Sequence, residues 1–263
     1  MLNIISVYKP LLKDAMRLVG MRSQLVQIEP GTVINFWGPT KPNSDKPTIL
    51  LLHGFIGNAI FTWQFQVLSL RSSYNVYAPD LLFFGDSHTD SAERSMDYGG
   101  MIGFRLDELY PGVVESLVVN GAALRVTESI SADCLKRIGA ILAIGSYTFP
   151  WLPNFFYKDF LVVEYKHRKE RAELLKAMVT SDEFSIPNFP QRIRLLWGEN
   201  DKIFTLDYAK SLLRQMGLEA NAMQVIEKAG HVALIERPYD YNHRLHNILK
   251  SLNVTGEMLP KTA

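Results

Sequence analysis

The sequence predicts an α/β fold with a mostly parallel, doubly wound sheet and one helical insert. Three observations carry that prediction. Short apolar runs alternate with segments of helical periodicity along most of the chain. One run, residues 47–52 (PTILLL), is continuously apolar, as a strand buried on both faces of a parallel sheet would be. The stretch 122–187 departs from the alternation, with helical periodicity and little strand character.

The elements follow in order. Residues 23–37 (SQLVQIEPGTVINFW) read as two strands joined at Pro30-Gly31. The strand at 47–52 comes next, then a helix over 59–70. Residues 74–79 (YNVYAP) form another buried strand, ending at Asp80. A helix over 98–109 is stopped by Pro111. Strands are expected at 115–120 (ESLVVN), 193–197 (IRLLW) and 222–226 (AMQVI). Helices are expected at 205–216, stopped by Gly217, and at 239–252, after Pro238. The insert then forms a cap over the C-terminal ends of the strands. The expected division is 1–121 for the first half of the core, 122–188 for the cap and 189–263 for the second half.

Composition bounds the function. The chain has 263 residues, 47% hydrophobic and 21% charged, enough for one large α/β domain and its insert. Lys and Arg number 28 against 27 acidic residues, so no basic excess points to nucleic acid. A single cysteine, Cys134, excludes a disulfide framework and a cysteine-based structural zinc site. Lys9, Pro10, Lys13 and Asp14 interrupt any leader-like apolar stretch, and Asn253-Val254-Thr255 is read as a chance sequon. Residues 138–157 carry no charge but hold Gly139, Gly145, Pro150, Pro153 and Asn154, which suits a buried or lid-like segment better than a membrane span. The expected location is the cytoplasm. The six histidines (His53, His88, His167, His231, His243, His246) are scattered without metal-ligand spacing, and no glycine-rich dinucleotide fingerprint occurs, so no metal or cofactor is expected. The oligomeric state is left open.

Three local patterns carry chemistry. The first is His53-Gly54-Phe55 after the strand at 47–52. A glycine at a strand's end lets the backbone turn and present an N–H, which in acyl-transfer enzymes binds a developing oxyanion. The second is Gly198-Glu199-Asn200-Asp201, an acid just past a strand, placed to orient a histidine or to cap a helix. The third is Gly230-His231. Asp201 and His231 are thirty residues apart, room for one strand–helix–strand passage that returns the histidine beside the acid.

With these residues on the page, the chain resembles the α/β-hydrolase fold superfamily with a helical cap. Also alike are Asp80-Leu81-Leu82-Phe83-Phe84-Gly85-Asp86-Ser87, Tyr98-Gly99-Gly100-Met101 and Glu236-Arg237-Pro238, so the resemblance spans roughly residues 26–252. It is similar to a group of plant proteins allied to meta-cleavage-product hydrolases, monoacylglycerol lipases and epoxide hydrolases. The resemblance implies Asp201 as the triad acid and His231 as the general base. The Phe55 and Tyr98 backbone N–H groups would be the oxyanion donors.

The nucleophile departs from that plan. The superfamily places a serine in G-x-S-x-G on a sharp strand-to-helix turn, and this chain has no such motif. Asp97 stands at the nucleophile position, between Ser95 and Gly99. Epoxide hydrolases in the superfamily use an aspartate there, which forms an ester that a histidine-activated water cleaves. Tyr147, Tyr157 and Tyr165 would then be the epoxide-activating candidates. Spacing favours a different origin for Asp97. Only fourteen residues, 83–96, separate Leu82 from Asp97, and they are polar after Phe84. A crossover helix and its strand need about 30 residues, so about 25–30 are short of the plan just before Asp97. Ser87 lies in a loop after a strand and lacks the elbow pattern; Cys134 reads as packing.

The resemblance thus implies a serine hydrolase by descent, acting on a small apolar ester, lipid or C–C bond substrate, impaired or inactive in this chain. The alternatives are a non-catalytic small-molecule-binding pseudo-hydrolase and an epoxide-hydrolase-like enzyme using Asp97. The missing strand also predicts a chain less stable than a complete one.

Overall fold

A computed structural model of the chain describes residues 3–55, 57–91, 100–110, 112–124, 126–127, 147, 154–164, 167–177, 179–180 and 191–256. In chain order the elements are α1 (Ile4–Leu18), β1 (Met21–Glu29), β2 (Thr32–Pro39), β3 (Thr48–Leu50), α2 (Ala59–Leu70), β4 (Asn75–Pro79), β5 (His88–Thr89), α3 (Gly100–Leu109), β6 (Ser116–Val119), β7 (Val126–Thr127), α4 (Asn154–Glu164), α5 (Arg168–Ala177), β8 (Val179–Thr180), β9 (Arg192–Gly198), α6 (Leu206–Gln215), β10 (Met223–Ile226), α7 (Ala233–Glu236) and α8 (Pro238–Gly256). They fall into two compact units.

The first unit carries a sheet in the order β1-β2-β4-β3, with β5 paired to β2. β1 and β2 form the hairpin expected around Pro30-Gly31, and β2 runs antiparallel to β4 through Phe36↔Pro79 and Trp37↔Ala78. β3 runs parallel to β4. Helix α2 starts where Asn58 accepts a hydrogen bond from the Phe61 N–H at 3.0 Å, replacing a partner that the first turn lacks. Its Ala59, Val67 and Leu70 are fully buried. Helix α1 packs beside it on Ile5, Leu12 and Met16. The Tyr8 hydroxyl donates to Gln64, and the Tyr8 ring meets Phe61 edge-on at 6.2 Å. Helices α4 and α5 and the parallel β7–β8 pair, all from the segment expected as the cap, belong to this unit.

The strand expected over 47–52 is a correction. It shrinks to three residues, and Thr48 and Leu50 are exposed, Leu50 by 50%. An apolar run is buried on both faces only where the sheet continues on both sides. Among the described residues β3 hydrogen-bonds to β4 alone.

The second unit carries the parallel sheet β10-β9-β6. β9 is its centre, and Ile193, Leu195, Leu196 and Trp197 are almost wholly buried. Ile193, Leu195 and Trp197 pack with Phe104 of α3, Val119 of β6 and Leu212 of α6. Helix α6 is capped by the Thr205 hydroxyl, which accepts from the Tyr208 N–H at 3.3 Å. β6 is half-exposed along most of its length and, among the described residues, pairs only with β9.

Candidate functional site

In the second unit the end of β9 and the loop after β10 are drawn together. Gly198 allows it: a Cβ there would lie 2.1 Å from the Gly230 carbonyl oxygen and 2.8 Å from that of Ala229, so no larger residue fits. Backbone bonds tie the two loops, Glu199 N–H to Ile226 O at 2.9 Å and Asn200 N–H to Ala229 O at 2.8 Å. The Glu199 carboxylate accepts from the Lys228 N–H at 3.1 Å, and Glu236 of α7 accepts from the Gly230 N–H at 2.7 Å.

This frame places Asp201 and His231. One carboxylate oxygen of Asp201, Oδ1, accepts from the Ile203 and Phe204 N–H groups at 2.8 and 3.0 Å. The other, Oδ2, accepts from His231 Nδ1 at 2.9 Å. The Asp201 side chain is fully buried and that of His231 is 20% exposed. A carboxylate that holds Nδ1–H fixes the tautomer with its lone pair on Nε2, the form that takes a proton from a nucleophile or a water. Phe204 lies 5.8 Å from the imidazole, ring to ring. Gly121, just after β6, passes beneath the pair at φ +51°; a Cβ there would meet Nδ1 at 3.0 Å and Asp201 Oδ2 at 3.4 Å. The sequence marks Gly121 only as a glycine directly past a predicted strand, and it gives no signal for Phe204.

In the first unit His53 occupies the loop after β3. It is fully buried. Its Nδ1–H donates to the Gly54 carbonyl at 2.7 Å, and Nε2 accepts from the Leu81 N–H at 2.9 Å. Burial lowers its pKa to about 4, so the ring is neutral. It therefore clasps the loop after β3 to the loop after β4. Asp80 does related work: its carboxylate accepts from the Ala59 N–H and the Asn35 side chain, both at 2.8 Å, and from the Asp86 N–H at 3.2 Å. Burial pushes its carboxyl up, while these donors pull the other way.

Phe55, expected as an oxyanion donor, lies half-buried in the same loop, its ring 5.3 Å from Phe84. Gly54 is exposed beside it. Arg171 of α5 stacks its guanidinium 3.7 Å over the Phe84 ring and donates from Nε to the Phe83 carbonyl at 3.1 Å. Ser87 is buried; its hydroxyl donates to the Asp80 carbonyl at 2.6 Å and accepts from the Asn35 N–H at 2.9 Å. That hydroxyl is committed to the fold. Gly100 opens α3. Asp97, Tyr98, Gly99 and Tyr165 lie outside the described residues, and Tyr157 falls within α4.

No family model matches the chain. A curated human protein, epoxide hydrolase 4, is 28% identical over 152 residues, which are 46% of this chain and 41% of that one. The chain thus matches about two fifths of that relative's length. Solved structures match far more of it. A candidate lipase from Acinetobacter baumannii AYE superposes with a TM-score of 0.78 at 18% identity, covering 94% of this chain and 97% of that one. A bacterial membrane phospholipase A gives 0.74 at 19%, covering 95% and 91%. The 2-hydroxy-6-oxo-6-phenylhexa-2,4-dienoate hydrolase of a Rhodococcus strain gives 0.65 at 17%, covering 88% and 99%. The chain has the α/β-hydrolase fold.

Asp201 follows the end of β9 and His231 the end of β10. Among the described residues no group of three His, Cys, Asp or Glu side chains is placed to hold a metal ion. No helix among them is long and apolar enough to cross a membrane.

Proposed function

We propose that this α/β-hydrolase fold chain descends from a serine hydrolase of small apolar esters, lipids or C–C bonds and has lost turnover with its nucleophile. The observation that carries the reading is an ordered Asp201–His231 pair, 2.9 Å apart, in a sequence without G-x-S-x-G. Nothing in the folding of β9 and β10 requires a histidine bonded to a buried acid, whereas acyl transfer does. The His53-Gly54-Phe55 turn supports the same descent, since it stands where an oxyanion donor is expected. The exposure of β3, which among the described residues pairs only with β4, supports the loss of a strand between Leu82 and Asp97. The alternative within the same descent is a non-catalytic pseudo-hydrolase that binds a small molecule. The cytoplasm remains its proposed location, in keeping with one cysteine in 263 residues.

Steady-state hydrolysis of short-chain p-nitrophenyl esters tests this reading. The expected rate is that of buffer, unchanged by His231→Ala. A rate well above buffer that His231→Ala abolishes refutes it.

A second reading is favoured by the similarity to epoxide hydrolase 4. In that reading the Asp97 carboxylate attacks an epoxide carbon, the ring C–O bond opens, and the alkoxide takes its proton from a tyrosine hydroxyl, for which Tyr147, Tyr157 and Tyr165 are the candidates. Water, its proton passed to His231 Nε2, then cleaves the Asp97 ester to give the diol. Single turnover of styrene oxide in 18O-water separates the two readings. Label in the Asp97 peptide would establish the second, and absence of diol supports the first.

A further inference from the structure

The start of helix α1 grips α4 at two places. At the first, Asn3 donates from Nδ2 to the Asp159 carbonyl at 3.3 Å, and the Ile4 N–H donates to the Asp159 carboxylate at 2.9 Å. At the second, Lys9 Nζ lies 2.8 Å from a carboxylate oxygen of Glu164, the last residue of α4. The other oxygen of Glu164 accepts from Asn58 Nδ2 at 3.3 Å, and Asn58 is the residue that caps α2. Between the two grips Tyr8 reaches α2, with its hydroxyl on Gln64 and its ring on Phe61. Phe61 in turn meets Phe160 of α4, the ring centres 5.4 Å apart. All of these groups belong to the first unit.

The grips share a property of sequence: they lie before Pro10. A proline inside a helix has no N–H for the carbonyl four residues back, here that of Ser6, and its ring crowds that carbonyl. The hydrogen-bond ladder of α1 therefore loses a rung between the residues that hold α4 and the part that follows, where Leu12 and Met16 are buried. Pro10 itself is exposed, so packing does not demand it. The second grip makes release all-or-none. The Glu164 side chain is 1% exposed, and a carboxylate buried to that degree is costly once its lysine has gone. When Lys9 swings away, Glu164 is driven toward water and takes α4 with it.

We propose that residues 3–9 form a strap, hinged at Pro10, that latches α4 onto α2, and that α4 opens when the strap swings out. Opening uncovers the Phe61–Phe160 contact. It also frees Asn58, which ends the loop that carries Gly54 and Phe55. This goes beyond the proposed descent and holds whether or not the chain is catalytic.

Hydrogen–deuterium exchange of the full chain, read by mass spectrometry on peptides from α4 and from β9, tests the proposal. Lys9→Met should speed exchange in α4 at least about fivefold and leave β9, in the second unit, unchanged. Pro10→Ala, which returns the missing N–H, should slow exchange in α4 at least about twofold and again spare β9. No change in α4 with either variant overturns the proposal. So does a change shared equally by α4 and β9, which would report global stability and not a latch. Faster exchange of α4 in Pro10→Ala overturns it as well, since the proline would then be needed for the closed fit and not for opening.

Discussion

His53 makes stability depend on pH in a window that can be worked out from its contacts. Its Nδ1–H is used by the Gly54 carbonyl, and its Nε2 lone pair by the Leu81 N–H. A proton added to Nε2 would set two donors face to face in a fully buried position. Burial, which penalises the charged ring, holds the pKa at about 4 in the folded chain, against 6.5 unfolded. Between those values the unfolded chain binds the extra proton and the folded chain does not, so stability falls as pH drops from about 6.5 to about 4. The difference of about two and a half units corresponds to a loss of about 3 kcal/mol across that window. Asp80 acts in the opposite sense: its raised carboxyl pKa favours the folded, protonated form on acidification. The comparison that isolates His53 is therefore wild type against His53→Gln. Urea unfolding at pH 7.5, 6.0 and 5.0 is the assay. The variant should lose about 1–2 kcal/mol at pH 7.5, from the buried hydrogen bonds, and a smaller increment than wild type on acidification. Parallel pH profiles for the two proteins would refute the reasoning.

Other predictions probe the frame around the site. Gly198→Ala must push the Gly230 carbonyl away by more than an ångström, because the added Cβ starts 2.1 Å from it. With two backbone bridges at stake, about 2–4 kcal/mol of stability should go, read by urea unfolding. Ser87→Ala should cost about 1–3 kcal/mol, since its hydroxyl serves both the Asn35 N–H and the Asp80 carbonyl. Leu50→Lys should cost less than about 1 kcal/mol, the ordinary range for an exposed position. A loss of several kcal/mol would mean that β3 is covered on its outer side.

Much of the architecture was legible because strand and helix periods differ. The strands at Asn75–Pro79, Arg192–Gly198 and Met223–Ile226, and the helices at Ala59–Leu70 and Leu206–Gln215, lie where apolar runs and caps place them. Helix α1 is hidden in the sequence, because Lys9, Pro10 and Lys13 interrupt its apolar run, although Ile5, Leu12 and Met16 share a face. The run at 47–52 misled because burial on both faces needs a neighbouring strand on each side, and among the described residues β3 pairs with β4 alone. The candidate site was legible in part. Asp201 and His231 are marked by the glycines beside them, Gly198 and Gly230, which permit the close approach of their loops. Gly121 was hidden, because its role depends on a contact across more than a hundred residues of sequence.

The central claim is that an acid–histidine pair survives here without a serine to activate. The most direct measurement is intact-mass spectrometry of the full chain after exposure to a fluorophosphonate, followed by peptide mapping. The account predicts an unmodified mass. A single adduct on one serine, formed in wild type and lost in His231→Ala, would contradict it.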